Sequence, residues 1–291
     1  MIDTRIDTIS NIAFYHYIDA DNLNRSYKEH LSGYSTWEHK AHASEYLLYP
    51  ENIGEKISID EVSLSDGELY TIVTNKSAKG KKGALIAILN GTKIEDIEFV
   101  LLKIPVEKRL KVKEVTLDMA KNMESASEKC FPKAKLVTDR FHVVRLVSDA
   151  LQHVRIKYRW EAIKSENESI KKASEEHTTY TPDVFANGDT RKQLLARSRY
   201  LLFKTPVNWH KNQQIRADIL FKEYPILKQA YNLSMHFRSL YNCQDKNTAR
   251  IKMVQWIEDT EKAGIDEYNT AANSIKINLK NILTHIAAMC L

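Results

Sequence analysis

The 291-residue chain is 43% apolar and 28% charged, an ordinary composition for a globular protein with core enough for two structural units. No apolar run approaches the ~18 residues of a membrane span, and MIDTRIDTIS lacks the basic-then-apolar order of a secretory leader, so a cytoplasmic protein without a membrane partner is expected. A net charge of +5 favours a polyanionic partner, and the absence of GxGxxG and GxxxxGK[ST] excludes the usual nucleotide cradles.

Residues 1–54 read as a lead-in segment rich in aromatics: Phe14, Tyr15, Tyr17, Tyr27, Tyr34, Trp37, Tyr46 and Tyr49. A short helix is expected around Asn22 to His30, with no complete DNA-reading helix pair. The segment closes at the turn signal YPENIG. Residues 55–140 then alternate strands and helices. KISIDEVSL and LYTIVTN are β-branched and alternating, hence strands, with SDG (Ser65 to Gly67) as a hairpin turn between them. The basic loop KSAKGKKG leads into a third strand, ALIAILN, ended by Asn90 and Gly91. TKIEDIEFVLLKIP is a helix with Thr92 as its expected N-cap and Glu95 three residues on. VKEVTLDM is a fourth strand, AKNMESASEKC a helix stopped by Pro132, and AKLVTD a fifth strand. Three antiparallel strands followed by two crossover-linked strands give an α/β class with an RNase H-like mixed sheet, and not a doubly wound dinucleotide fold.

From Phe141 onward the strand signal ends, and residues 141–291 form an all-helical region. FHVVRLVSDALQHVRIKYRWEAIKSENESIKKA is one long amphipathic helix, with Val143, Leu146, Val147, Ala150, Leu151 and Val154 at helical spacing. A loop over Thr179 to Asp189 separates it from the helical stretches RKQLLARSRYLLFK, QQIRADILFKEY, PILKQAYNLSMHFRSLYNC, NTARIKMVQWIEDTEKA and EYNTAANSIKINLKNILTHIAAMCL. Gly264 is the expected C-cap of the fourth of these. No internal repeat stands out. Cys130, Cys243 and Cys290 are an odd number without a CxxC, so reduced thiols are expected, with no zinc spacing.

Chemistry concentrates at acidic strand ends. Asp60 and Asp118 each close an apolar strand, and alone each reads as a turn or solvated carboxylate. In the inferred topology their strands are neighbours, so both carboxylates leave one sheet edge, about 4–7 Å apart, where they suit Mg²⁺. Glu61 alternates to the opposite face. Asp139, Arg140, Phe141 and His142 cluster at the next strand-to-helix junction. Asp139 suits the helix N-cap, and His142 suits either a phosphate contact or a structural role. Arg191 to Lys222 carries eight Lys/Arg and one acidic residue, interleaved with Tyr200, Phe203 and Trp209. That pattern reads either as a phosphate-binding, base-stacking surface or as a solvated helix face. Lys79, Lys81, Lys82, Arg140, Arg155, Lys157, Arg191, Lys192, Arg197 and Arg199 are the candidate DNA-binding residues.

These stretches resemble the ISL3 group of bacterial insertion-sequence transposases of the DDE class. The matching segments are ISIDEVSLSDGELYTIVTN, the KGKKG loop, VKEVTLDMA, CFPKAKLVTDRFHVVRL, RIKYRWEAI and NGDTRKQLLARSRYLLF, spread from about Tyr34 to Ser274. The resemblance implies an RNase H-like catalytic core with a helical insertion. It implies cleavage and transfer of DNA strands at element ends with Mg²⁺ or Mn²⁺ in a two-metal site. Asp60 and Asp118 match the first two catalytic acids and metal ligands, with Asp139 and His142 in a supporting segment. Partners implied are element-end and target DNA, and a second copy or a full-length transposase. The resemblance stops at NILTHIAAMCL, where the family continues into an Asn-rich turn and a helix carrying the third acid; Glu258, Glu261 and Glu267 lie upstream of that position. The expectation is therefore a C-terminally truncated copy, inactive alone. The alternative is a non-catalytic DNA-binding fragment that modulates the full-length enzyme. A host RNase H-type nuclease leaves the basic helical half unexplained.

Overall fold

The computed structural model describes residues 2, 7–63, 67–243 and 245–289, the last five as backbone alone. The chain divides into two compact units, Met1–Lys111 and Val112–Leu291.

The first unit opens with two helices, α1 (Ile9–Tyr15) and α2 (Ala20–Ser26), the second running on into a wider turn over Tyr27–Leu31. Each starts on a side-chain cap: Thr8 accepts from the Asn11 amide and Asp19 from the Asn22 amide. Tyr17 takes a left-handed φ of 55° between them, and Ile12 and Ala13 are buried. The lead-in segment therefore holds a helix–turn–helix arrangement where only one helix was expected. At seven residues, α1 is too short for periodicity to reveal.

An antiparallel sheet follows, built from β1 (Tyr46–Leu48), β2 (Lys56–Ser63), β3 (Leu69–Asn75) and β4 (Leu85–Asn90) in the order β1-β4-β3-β2. The three expected strands form as read, and β1 is an addition: three residues are too few to show alternation. Ile57, Ile59, Val73, Ile86 and Leu89 are buried, as are Ile97, Val100 and Leu101 of α3 (Ile94–Leu101). The α3 N-cap is Lys93 and not Thr92, with no side-chain cap bond; the chain stays extended at Lys93 (φ −74°, ψ 150°). The expected SDG turn falls mostly on Ser65 and Asp66, outside the described residues; Gly67 takes a left-handed φ of 80°. A single helical turn, α4 (Val106–Arg109), closes the unit.

The second unit begins with β5 (Glu114–Leu117), crosses through α5 (Lys121–Cys130) and returns as β6 (Lys135–Thr138), parallel to β5. Then come α6 (Arg140–Glu175), α7 (Arg191–Arg197), α8 (Lys211–Glu223), α9 (Pro225–Leu240), α10 (Lys246–Ala263) and α11 (Asp266–Met289). Their core joins Val147, Leu151, Leu194, Leu220, Phe237, Trp256, Tyr268 and Ile275. Two polar atoms carried into that core are partnered: Trp256 Nε1 donates to the Leu233 carbonyl (2.8 Å) and the Tyr268 hydroxyl to the Ala230 carbonyl (2.6 Å). Gly264 caps α10 with φ 62°, as its place in the sequence predicts. RKQLLARSRYLLFK is not one helix: α7 ends at Arg197 and a separate 3-10 turn runs over Leu201–Phe203. The described elements from α7 to α11 are otherwise all helical, as the periodicity predicts.

Candidate functional site

Parallel strands that end together present their next residues together. In the β5–β6 pair Leu117 is in register with Thr138, and the Asp139 amide donates to the Leu117 carbonyl (2.8 Å). Asp118 and Asp139 therefore leave the C-terminal ends of neighbouring strands side by side. Each is half-buried, and each is locked by its own loop. Asp118 Oδ1 accepts from the Ala120 amide (2.8 Å) as the chain turns into α5. Asp139 Oδ1 accepts from the Phe141 amide (2.8 Å) as the N-cap of α6. Both carboxylates thus sit at helix starts, where backbone amides and the helix dipole favour negative charge.

Asp60 belongs to the first unit. It is the fifth of eight residues of β2, opposite Ile72, and not at a strand end. It is exposed, on the face away from buried Ile57 and Ile59, and its Oδ1 accepts from the Glu61 amide (2.9 Å). Glu61 alternates to the other face, as expected.

Among the described residues no group of three or more His, Cys, Asp or Glu is arranged to hold a metal ion. Mg²⁺ does not require one: it binds through one or two carboxylates, keeps several waters and takes the remaining oxygens from substrate phosphates. Asp118 and Asp139 are hard oxygen donors at the ends of paired strands, and their chemistry suits such an ion. His142 is half-buried in the first turn of α6, its ring edge-on to Phe141 at 5.5 Å. Arg140 lies over the face of buried Tyr241, 4.7 Å from the ring centroid, which anchors the start of α6. Burial pushes the Tyr241 hydroxyl far up, the nearby Arg140 charge opposing it and Asp139 adding to it.

The basic residues singled out by sequence separate into two sets. Lys79, Lys81 and Lys82 are exposed on the loop between β3 and β4, and Arg199 is exposed beside Tyr200. Arg155 is a correction: it is buried, its Nε donating to Gln152 Oε1 (2.7 Å) and its Nη1 to the Leu195 carbonyl (2.9 Å), so it ties α6 to α7. Burial also draws its pKa down, with Arg159 and Arg199 adding to the effect. Lys157, Arg191 and Lys192 each meet a carboxylate of the chain: Glu267 (3.2 Å), Glu223 (3.0 Å) and Glu166 (2.8 Å). Arg197 pairs with Asp189, which also receives Arg216 Nε (2.8 Å). Asp189 is fully buried. Burial pushes its carboxyl up, and the two guanidiniums outweigh that and hold it below the usual range. No sequence pattern announces this triad, although the turn NGD immediately before the Thr190 cap marks the place.

The transposase family model of ISL3 type matches residues 57–289, so the chain belongs to the ISL3-type transposase family. Among curated proteins it is similar to the transposase for insertion sequence element IS1001 of Bordetella parapertussis, 25% identical over 231 residues. That alignment covers 79% of this chain and 50% of the relative, so the chain spans half the length of the relative it matches. No solved structure matches the chain.

Proposed function

We propose that the chain is the metal-binding core of a DDE transposase with an RNase H-like arrangement, acting on DNA at insertion-sequence ends. In this reading Asp60 and Asp118 supply the first two carboxylates for Mg²⁺ or Mn²⁺, and Asp139 and His142 support them. Asp139 positions the start of α6 and holds its carboxylate beside Asp118. The ion, when bound, would supply charge stabilisation at the attacked phosphate. What supports the reading is the family match over residues 57–289, which contain Asp60 and Asp118, together with the β5–β6 register that sets Asp139 beside Asp118.

DNA contact is assigned to the exposed Lys79, Lys81 and Lys82 and to Arg199, which can neutralise backbone phosphates. The α1–α2 pair adds a second surface: a capped second helix, with Asn24 and Arg25 exposed on it, has the form that enters a major groove.

The test is purified chain with labelled element-end DNA and Mn²⁺. Metal-dependent nicking that disappears in both Asp60→Ala and Asp118→Ala supports the reading. DNA binding without nicking, unchanged in both variants, favours instead a DNA-binding modulator of a longer transposase.

A further inference from the structure

The first half of α6 packs Val143, Val147, Leu151 and Val154 into the helical core, and Tyr158 and Ala162 continue that face. A second apolar row begins at Ile156. Ile156 is 37%, Trp160 65% and Ile170 43% exposed, and Ile163 lies between them, half-buried. At about 100° per residue this row points away from the core-facing one. Its spacing is strict. From Ile156 the sequence is a seven-residue unit repeated three times, IKYRWEA, IKSENES, IKKASEE, each opening Ile-Lys with Glu at its sixth place. No internal repeat was expected of the sequence; this one surfaces only when the outward face of α6 is isolated. Ile156, Trp160, Ile163, Asn167, Ile170 and Ser174 alternate steps of four and three, the seam of a coiled coil and not the 3.6-residue drift of a helix lying on a globular core.

We propose that this row docks against the same helix of a second copy of the chain, forming a short parallel coiled coil. Charge favours a copy over nucleic acid. Residues 156–176 hold five Lys/Arg and five Glu, net zero, in a chain of net charge +5. Lys157, Lys164 and Lys171 are each followed four residues on by Glu161, Glu168 and Glu175, and Lys171–Glu175 closes to 3.8 Å. Such a neutral face offers little to a phosphate backbone and does not repel itself. Polarity fixes the orientation. In parallel register Ile meets Ile and Asn167 meets Asn167, whose carboxamides pair; antiparallel packing sets Asn167 against Ile163 and leaves the amide unpaired. Three heptads are roughly 31 Å of helix and bury roughly 600 Å² per copy, short of the ~800 Å² per partner of a standard interface. The association is therefore reversible.

Sedimentation equilibrium of the full chain from about 1 to about 200 µM tests this. The expected result is a monomer–dimer equilibrium. The double variant Trp160→Glu/Ile170→Glu weakens it at least ~10-fold, with unchanged circular dichroism and melting temperature. Asn167→Ile tightens it or raises the oligomer order, a gain that misfolding cannot produce. A monomer throughout, or a dimer indifferent to both variants, overturns the proposal. So does loss of DNA affinity in the double variant with dimerisation unchanged.

Discussion

Two carboxylates are oriented here by a short local route, a hydrogen bond from a backbone amide two residues on. Asp118 and Asp139 both use it, so their direction follows from strand register and needs no support from distant side chains. Asp118→Asn keeps the acceptor for the Ala120 amide while removing the charge. It should lower Mn²⁺ affinity by tenfold or more and leave the melting temperature within a few degrees, as read by electron paramagnetic resonance and thermal unfolding. Equal metal affinity in the variant would remove Asp118 from the site. Asp189 acts in the opposite sense: it is buried between Arg197 and Arg216 and stabilises the fold. Asp189→Asn should cost about 3 kcal/mol near neutral pH, because two cations lose their counter-charge. Its folded pKa lies below its unfolded value, so the stabilisation is present above the ordinary carboxylate range and is lost as pH falls from there through the lowered folded value. The gap between the melting curves of the two proteins should therefore begin to narrow as the pH falls below about 4 and close at lower pH. A gap that does not narrow as the pH falls would mean that shape and not charge is at stake.

At the scale of elements, legibility tracked length and repetition. The 36-residue α6 and the 24-residue α11 were readable from their periodicity, and so were the three longer antiparallel strands. The seven-residue α1 and three-residue β1 were not, because neither completes enough periods to be told from a loop. Asp60 reads as a strand end because polar residues follow it, yet β2 continues to Ser63 through pairing with β3; register is a tertiary property. Arg155 reads as a surface cation for a similar reason. Only the packing of α7 on α6 shows it to be a buried tie. The loop between β3 and β4 is the element on which DNA contact is most plainly tested. Replacing Lys79, Lys81 and Lys82 together by Ala should weaken DNA binding across all sequences. It should also reduce the slope of log affinity against log salt by up to about three. An unchanged slope would place the phosphate contacts elsewhere.

At the scale of the molecule, chemistry and stability are drawn from different parts of the chain. The large apolar core lies in α6–α11, whereas the acids that define the proposed chemistry sit on β2 and at the ends of β5 and β6. The central proposal is that Asp60 and Asp118, which match the family's first two acids, serve one ion. Iron-directed cleavage measures this without relying on catalysis. Fe²⁺ replaces Mg²⁺, ascorbate and peroxide generate hydroxyl radicals at the bound ion, and the fragments map the backbone that surrounds it. The account predicts cuts near both Asp60 and Asp118, suppressed by excess Mg²⁺ and absent in Asp118→Ala. Cuts confined to the Asp118 and Asp139 stretches, with Asp60 untouched, would contradict it.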